Sequence, residues 1–164
     1  MDRLCDALEE ARRERGLMWV ELMAEINRVF KGTTSIPITL STVRGMAKKS
    51  SVTSGVVLQI LRWLGRSPES FLAGGGAARD GEKLPEPGPG RVLRFDTRAM
   101  HEALDAERRV RGLTWTQVAS ELPGFTESML TNLATGPLIG FPRVMMLTQW
   151  LGQPAAHFVR VRAK

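Results

Sequence analysis

Apolar positions recur along this chain at helical spacing, and they do so twice in the same order. Leu4, Ala7, Leu8 and Ala11 share one face of a predicted helix that Asp2 opens and Gly16 closes. A second helix is expected from Trp19 to Val29, and a third from Leu40 to Lys48 behind Thr39 as N-cap. A weak fourth near Ser51–Ser54 would merge into a fifth spanning Val56–Leu64, which Gly65 closes before a last turn through Pro68 and Phe71. Later the pattern returns. A helix starts after Asp96 or Thr97 and ends at Gly112. Thr114 then caps another, and Gln117 completes its capping box. Val118, Ala119 and Leu122 form the apolar face of that helix, and Pro123-Gly124 stops it. Thr126 caps a short helix striped by Met129, Leu130 and Leu133, and Arg143–Leu151, Gly152, Pro154 and Phe158 complete the copy.

Residues 3–26 align without gaps on 99–122 at an offset of 96, and residues 38–72 align on 125–159 at an offset of 87. The difference, 96 − 87 = 9, places nine extra residues between Ile26 and Ile38 of the first copy, with a short β-like excursion expected at Ile36–Ile38. Two copies are too few to stack as a solenoid, so the repeat implies a duplicated domain. The expected division is a first domain at 1–72, a flexible Gly/Pro-rich linker at 73–94 and a second domain at 95–164. Residues 91–95 read as an extended lead-in packing on the second domain.

In RGLTWTQVASELPGFTESMLTNLATG, two short helices joined by so few residues must cross steeply, which is a helix-turn-helix arrangement. The second of them turns Glu127, Ser128, Thr131 and Asn132 outward, polar side chains of the kind that read base edges. Its counterpart presents Ser41, Arg44 and Lys48, with Lys49 just beyond. Glu127 has two readings, an acid favoured at a helix N-terminus or an acceptor for cytosine N4. Arg143 offers the second copy one phosphate contact.

The net charge of +6 permits a polyanionic partner without requiring one. Residues 1–72 hold 11 basic and 8 acidic side chains and residues 95–164 hold 8 and 6, so the excess is shared and any nucleic-acid affinity must come from folded surfaces. Arg12, Arg13 and Arg15, with Arg108, Arg109 and Arg111, crowd the last turn of each first helix. They either oppose the helix dipole or contact phosphate. Trp63 and Trp150 are expected as core anchors, and Trp19 and Trp115 as half-exposed. No apolar run approaches the roughly 20 residues that cross a bilayer, and no signal-peptide core is present, so no membrane partner is expected. The one cysteine, Cys5, excludes an intrachain disulfide and fits a reducing, cytoplasmic setting.

The string GLTWTQVASEL-PGFTESMLTNLATG, with the closing LGQPAAHF, resembles the lambda-repressor-like (Cro/XRE-type) helix-turn-helix family, and FDTRAMHEALDAERRVRGLTWTQVASEL is similar to short regulators of this type from high-GC bacteria. The resemblance covers both copies and implies an all-α chain, two tandem five-helix domains joined by the linker. It implies that the third helix of each lies in the major groove. Gln117 then matches a phosphate-contacting position. Glu127, Ser128 and Thr131, with Leu40, Ser41 and Arg44 in the first copy, match base-reading positions, Thr135 and Lys48 match phosphate contacts after the helix, and Thr42 joins these as a DNA-binding candidate. Two departures stand out: Glu21 occupies the Gln117 position of the first copy, and the second copy's recognition helix holds no Lys or Arg.

The expected function is a sequence-specific regulator binding double-stranded DNA in the cytoplasm or nucleoid, with two recognition helices per chain paired within the chain or through a homodimer. The alternative is a protein-interaction adaptor or antitoxin-like subunit that keeps the fold without strong DNA binding, which the acidic intrusions at Glu21 and Glu127 favour. An enzyme is not expected. His101 and His157 lack metal-ligand companions, no phosphate loop joins a strand to a helix, and no nucleophile–base pattern stands out. No catalytic residue, metal or cofactor is therefore assigned.

Overall fold

The computed structural model describes residues 2–32, 36–46, 48, 53–71 and 84–163, and among these the chain is mostly helical. The first half carries α1 (Asp2–Glu14), α2 (Trp19–Asn27), α3 (Leu40–Met46) and α4 (Ser54–Leu64). The second repeats them as α5 (Thr97–Val110), α6 (Trp115–Glu121), α7 (Glu127–Asn132) and α8 (Phe141–Leu151). Each half closes on an equivalent 3-10 turn, Pro68–Phe71 and Ala155–Phe158. Left-handed Gly65 and Gly152 end α4 and α8 as the sequence predicts, since glycine carries no Cβ penalty there.

Two expectations are corrected. The chain is not all-α: β1 (Arg91–Phe95) and β2 (Val159–Ala163) pair antiparallel, with Phe95 opposite Val159. Alternating Val and Arg in VRVRA has the period of a strand. Nor are there five α-helices in each half among the described residues. Residues 51–52, part of the Ser51–Ser54 stretch expected as a weak fourth helix merging into the fifth, lie outside that set; Thr53 is extended and α4 begins at Ser54. Half of the stretch expected as a flexible linker, residues 73–83, lies outside it too. Its last part runs over the first half, where Glu86 sits 3.3 Å from Arg62 and Pro87 is buried.

The extra residues of the first copy form no strand at Ile36–Ile38. Instead the Asn27 side-chain amide donates to the Ile38 carbonyl and accepts from its N–H, both at 2.8 Å. This bond pair fixes the return of the chain, and Ile38 drops into the core while Ile36 stays 87% exposed.

One apolar core runs through both halves, from Leu8, Leu22, Ile26 and Leu61 to Leu104, Val118, Leu130 and Leu147, with Leu93 and Phe95 of β1 between them. β1 packs on α4 of the first half. The halves also meet by polar contacts: Ser54 Oγ donates to the Ile139 carbonyl at 2.6 Å, and Glu69 Oε1 accepts from Ala155 N at 2.5 Å. Thr53 and Gly140, which are equivalent at the 87-residue offset, form an antiparallel bridge. The two closing 3-10 turns, also equivalent, touch each other. Contacts between repeat mates, one of them antiparallel, place a rough two-fold axis between the halves.

Candidate nucleic-acid interface

Each half holds its first two helices together with the same set of side chains. Glu9 accepts from Arg12 and Arg13 at the end of α1, and Asp105, 96 residues on, accepts from Arg108 and pairs with Arg109 at 2.8 Å. The Arg12 guanidinium also donates to the Leu17 carbonyl at 2.7 Å and lies 5.0 Å over Trp19; Arg108 does the same to Leu113 at 2.9 Å and Trp115 at 5.1 Å. Arg15 covers Trp63 and Arg111 covers Trp150, while Glu25 and Glu121 accept from the indole N–H of those tryptophans at 2.7 Å. Most of these arginines therefore bind their own half. Carbonyl bonds and cation–π contacts of this kind fix where α2 and α6 leave the end of the preceding helix. The Glu9 carboxyl is held down to about 2, chiefly by the Arg12 hydrogen bond, and the Asp105 carboxyl is lowered by the Arg108 hydrogen bond.

On this frame α6 and α7 pack against each other across a turn at left-handed Gly124. Thr114 accepts from Gln117 N at 3.2 Å, and Gln117 Oε1 accepts from Thr114 N at 2.8 Å. That capping box engages Oε1 of the exposed Gln117 and does not use its side-chain NH2. At α7, Leu130 faces the core while Glu127, Ser128 and Asn132 are exposed and Thr131 is half-buried. Ser128, Thr131, Asn132 and Thr135 line one shallow open depression with Met129. Glu127 is not free within it: its Oε2 accepts the Thr116 hydroxyl of α6 at 2.8 Å. The Thr131 and Thr135 hydroxyls donate to backbone carbonyls of α7, Thr135 to Asn132 O at 2.8 Å. Arg143, exposed at the first turn of α8, stands 5.9 Å from the Phe125 ring.

The equivalent surface of the first half is α3. Val43 and Met46 are buried, and Ser41, Thr42 and Arg44 are exposed. Thr39 binds the Ser41 hydroxyl at 2.8 Å and accepts from Thr42 N at 3.2 Å, so it caps the helix. Among the described residues Arg44 and Lys48 have no carboxylate partner, and both are exposed. Lys49 lies outside the described residues. At the start of α2, Glu21 accepts from Met18 N at 2.7 Å, the backbone role Gln117 plays in α6. Its carboxylate thus has a local purpose, although it still sets a negative charge where Gln117 has none.

The candidate residues fall into two groups, one on each half, at equivalent places around the two-fold contact. Sequence reasoning missed Arg98, which occupies the Asp2 position of the repeat. Its guanidinium donates to the Thr135 carbonyl at 3.4 Å, beside the end of α7. Among the described residues no cluster of His, Cys, Asp and Glu is arranged to hold a metal ion, and no helix is long and apolar enough to cross a membrane. Compared with known proteins, the chain matches no family model, no curated protein and no solved structure.

Proposed function

We propose that this protein binds double-stranded DNA sequence-specifically as a transcriptional regulator, using α3 and α7 as two recognition helices in one chain. The observation that carries the reading is the paired exposure of two duplicated short helices, Leu40–Met46 and Glu127–Asn132, each with its apolar side in the shared core. Their outward residues carry hydroxyl, amide and guanidinium groups, the chemistry that reads base edges, together with one carboxylate, Glu127, that bonds Thr116. The near-equivalence of the halves around Thr53 and Gly140 is what a symmetric repressor dimer obtains from two chains, with half-sites about one helical turn apart. Arg44 is the strongest candidate for a bidentate guanine contact, because no carboxylate competes for it among the described residues.

A second reading, an adaptor that binds a protein, is favoured by an apolar groove between the halves. Exposed Ile36 and Leu138 stand at its edges, with Phe30, Val56 and Ile139 lining it. Binding to a random-sequence duplex across a salt titration separates the two. A DNA binder loses affinity steeply as salt rises, and selection of bound sites then yields a motif. Absence of binding at low salt would transfer the function to the groove.

A further inference from the structure

The second half has no cation on its recognition helix, yet the tertiary structure brings the Arg98 guanidinium to the end of that helix and sets Arg94, whose guanidinium rests against Gly55 of α4, and Arg162 around the same concavity. The β1–β2 register sets Val92 opposite Arg162 and Arg94 opposite Arg160, so these four residues share one face of the ribbon. The other face sends Leu93, Phe95 and Val159 into the core. Beyond the arginine face, a concavity is lined by Arg94, Arg98, Arg162, Thr97 and Gly136. Gly136 is left-handed, and a Cβ there would stand 2.9 Å from Arg98 Nε, so the guanidinium lies directly on the turn that leaves α7.

Three arginines and one carboxylate line this concavity, so a net positive charge remains. Its one lining acid, Asp96, accepts from Ala99 N as the cap of α5 and lies 3.9 Å from Arg160. No carboxylate pairs with Arg94, Arg98 or Arg162 among the described residues, whereas Arg12, Arg62, Arg108 and Arg111 are all paired. Arg94 is half-buried, and burial together with the nearby Arg162 lowers its pKa. Arg98 and Arg162 are exposed, so the cost of partial burial beside a like charge falls on Arg94, and an anion in the concavity would reduce it. Among the described residues the first half shows no such concavity, and the position of Arg98 is Asp2 there; it carries Lys48 itself at the position of Thr135.

We propose that the concavity formed by Arg94, Arg98 and Arg162 grips a backbone phosphate of DNA beside the end of α7, supplying the phosphate contact that α7 lacks. This inference rests on the DNA-binding reading. It is tested by measuring binding to a random-sequence duplex across a salt series for the native chain and two double variants. One is Arg98→Gln with Arg162→Gln. The other, Arg13→Gln with Arg109→Gln, removes equal charge from exposed positions at the far ends of α1 and α5. The first double variant is expected to lose roughly tenfold in affinity at low salt and to flatten the salt slope by about one to two. The second is expected to change affinity by less than about twofold, and unchanged thermal unfolding would show that the first is folded. Equal losses in both variants, or an unaltered slope in the first, would overturn the clamp while leaving DNA binding in place. A native chain that ignores duplex at low salt would overturn both.

Discussion

The two halves agree inside and differ outside. Glu9 and Asp105 clamp Arg12 and Arg108 in the same way, those arginines cover Trp19 and Trp115, and Glu25 and Glu121 hold the indoles of Trp63 and Trp150. The recognition surfaces share much less. α3 exposes Arg44 with Lys48 after it, while at the same two places the second half has Thr131 and Thr135, with hydroxyls bonded to their own backbone. The contacts that set helix angles were kept in both copies, and the side chains facing solvent were not. That is the behaviour of a scaffold duplicated to present two different surfaces. On the proposed DNA-binding reading, two different exposed helices call for an asymmetric site on DNA even though the scaffold is nearly symmetric.

The strongest test of the shared interior is removal of its indoles. Trp63 is 8% exposed, and Trp63→Ala is expected to destabilise by about 3–5 kcal/mol in urea unfolding. Trp150 is half-buried, and Trp150→Ala is expected to cost about half as much. Equal costs would mean that the two interiors are closer than their burial suggests. On the outside, Arg44→Ala should weaken binding to the selected DNA site by about 1–3 kcal/mol and relax preference at one base pair. Thr131→Ala should do less. If both substitutions had the same effect, the assignment of different roles to α3 and α7 would be wrong.

A smaller difference lies at the caps. Thr114 and Met18 hold the same extended backbone geometry before α6 and α2, but only Thr114 accepts a hydrogen bond with its side chain. Met18→Thr should therefore stabilise the protein by about 1 kcal/mol, read as a higher midpoint of unfolding. The smallest effect is the pH response of the paired acids. The folded Glu9 carboxyl, at about 2, lies below its ordinary 4.5, so its contribution is complete above pH 4.5 and is lost as the pH falls towards 2. Asp105 is shifted in the same direction. Stability of Glu9→Gln and of Asp105→Asn should fall less steeply than that of the native chain across that acid range. A parallel fall would show that the carboxylates are unpaired in solution.

Helix placement was legible because caps and stops act over a few residues. Thr114 and Gln117 form the box that their spacing announces, and Gly65 and Gly152 end their helices. Core residues such as Leu4, Leu8, Val118 and Leu130 followed from helical periodicity alone. The arginine clusters were legible only as clusters. Whether Arg12 meets phosphate or the Leu17 carbonyl depends on how α2 turns away from α1. Glu127 read equally well as a free acceptor, and its bond to Thr116 exists only because α6 and α7 lie side by side. The ribbon was missed because β1 and β2 are short and far apart in sequence, and neither forms without the other.

The order of residues was enough to declare a duplicated, mostly helical chain, with its caps and the inward sides of its helices, since those depend on backbone preference and apolar spacing. The fully folded arrangement alone chose the partners of the charged groups. It spent Arg12 and Arg108 on tryptophans and carbonyls, left Arg44 open, and gathered Arg94, Arg98 and Arg162 beside Gly136. The physical reason is reach. A long cationic side chain finds its partner in space, and which groups come within a few ångströms of it is set by packing between elements distant in sequence.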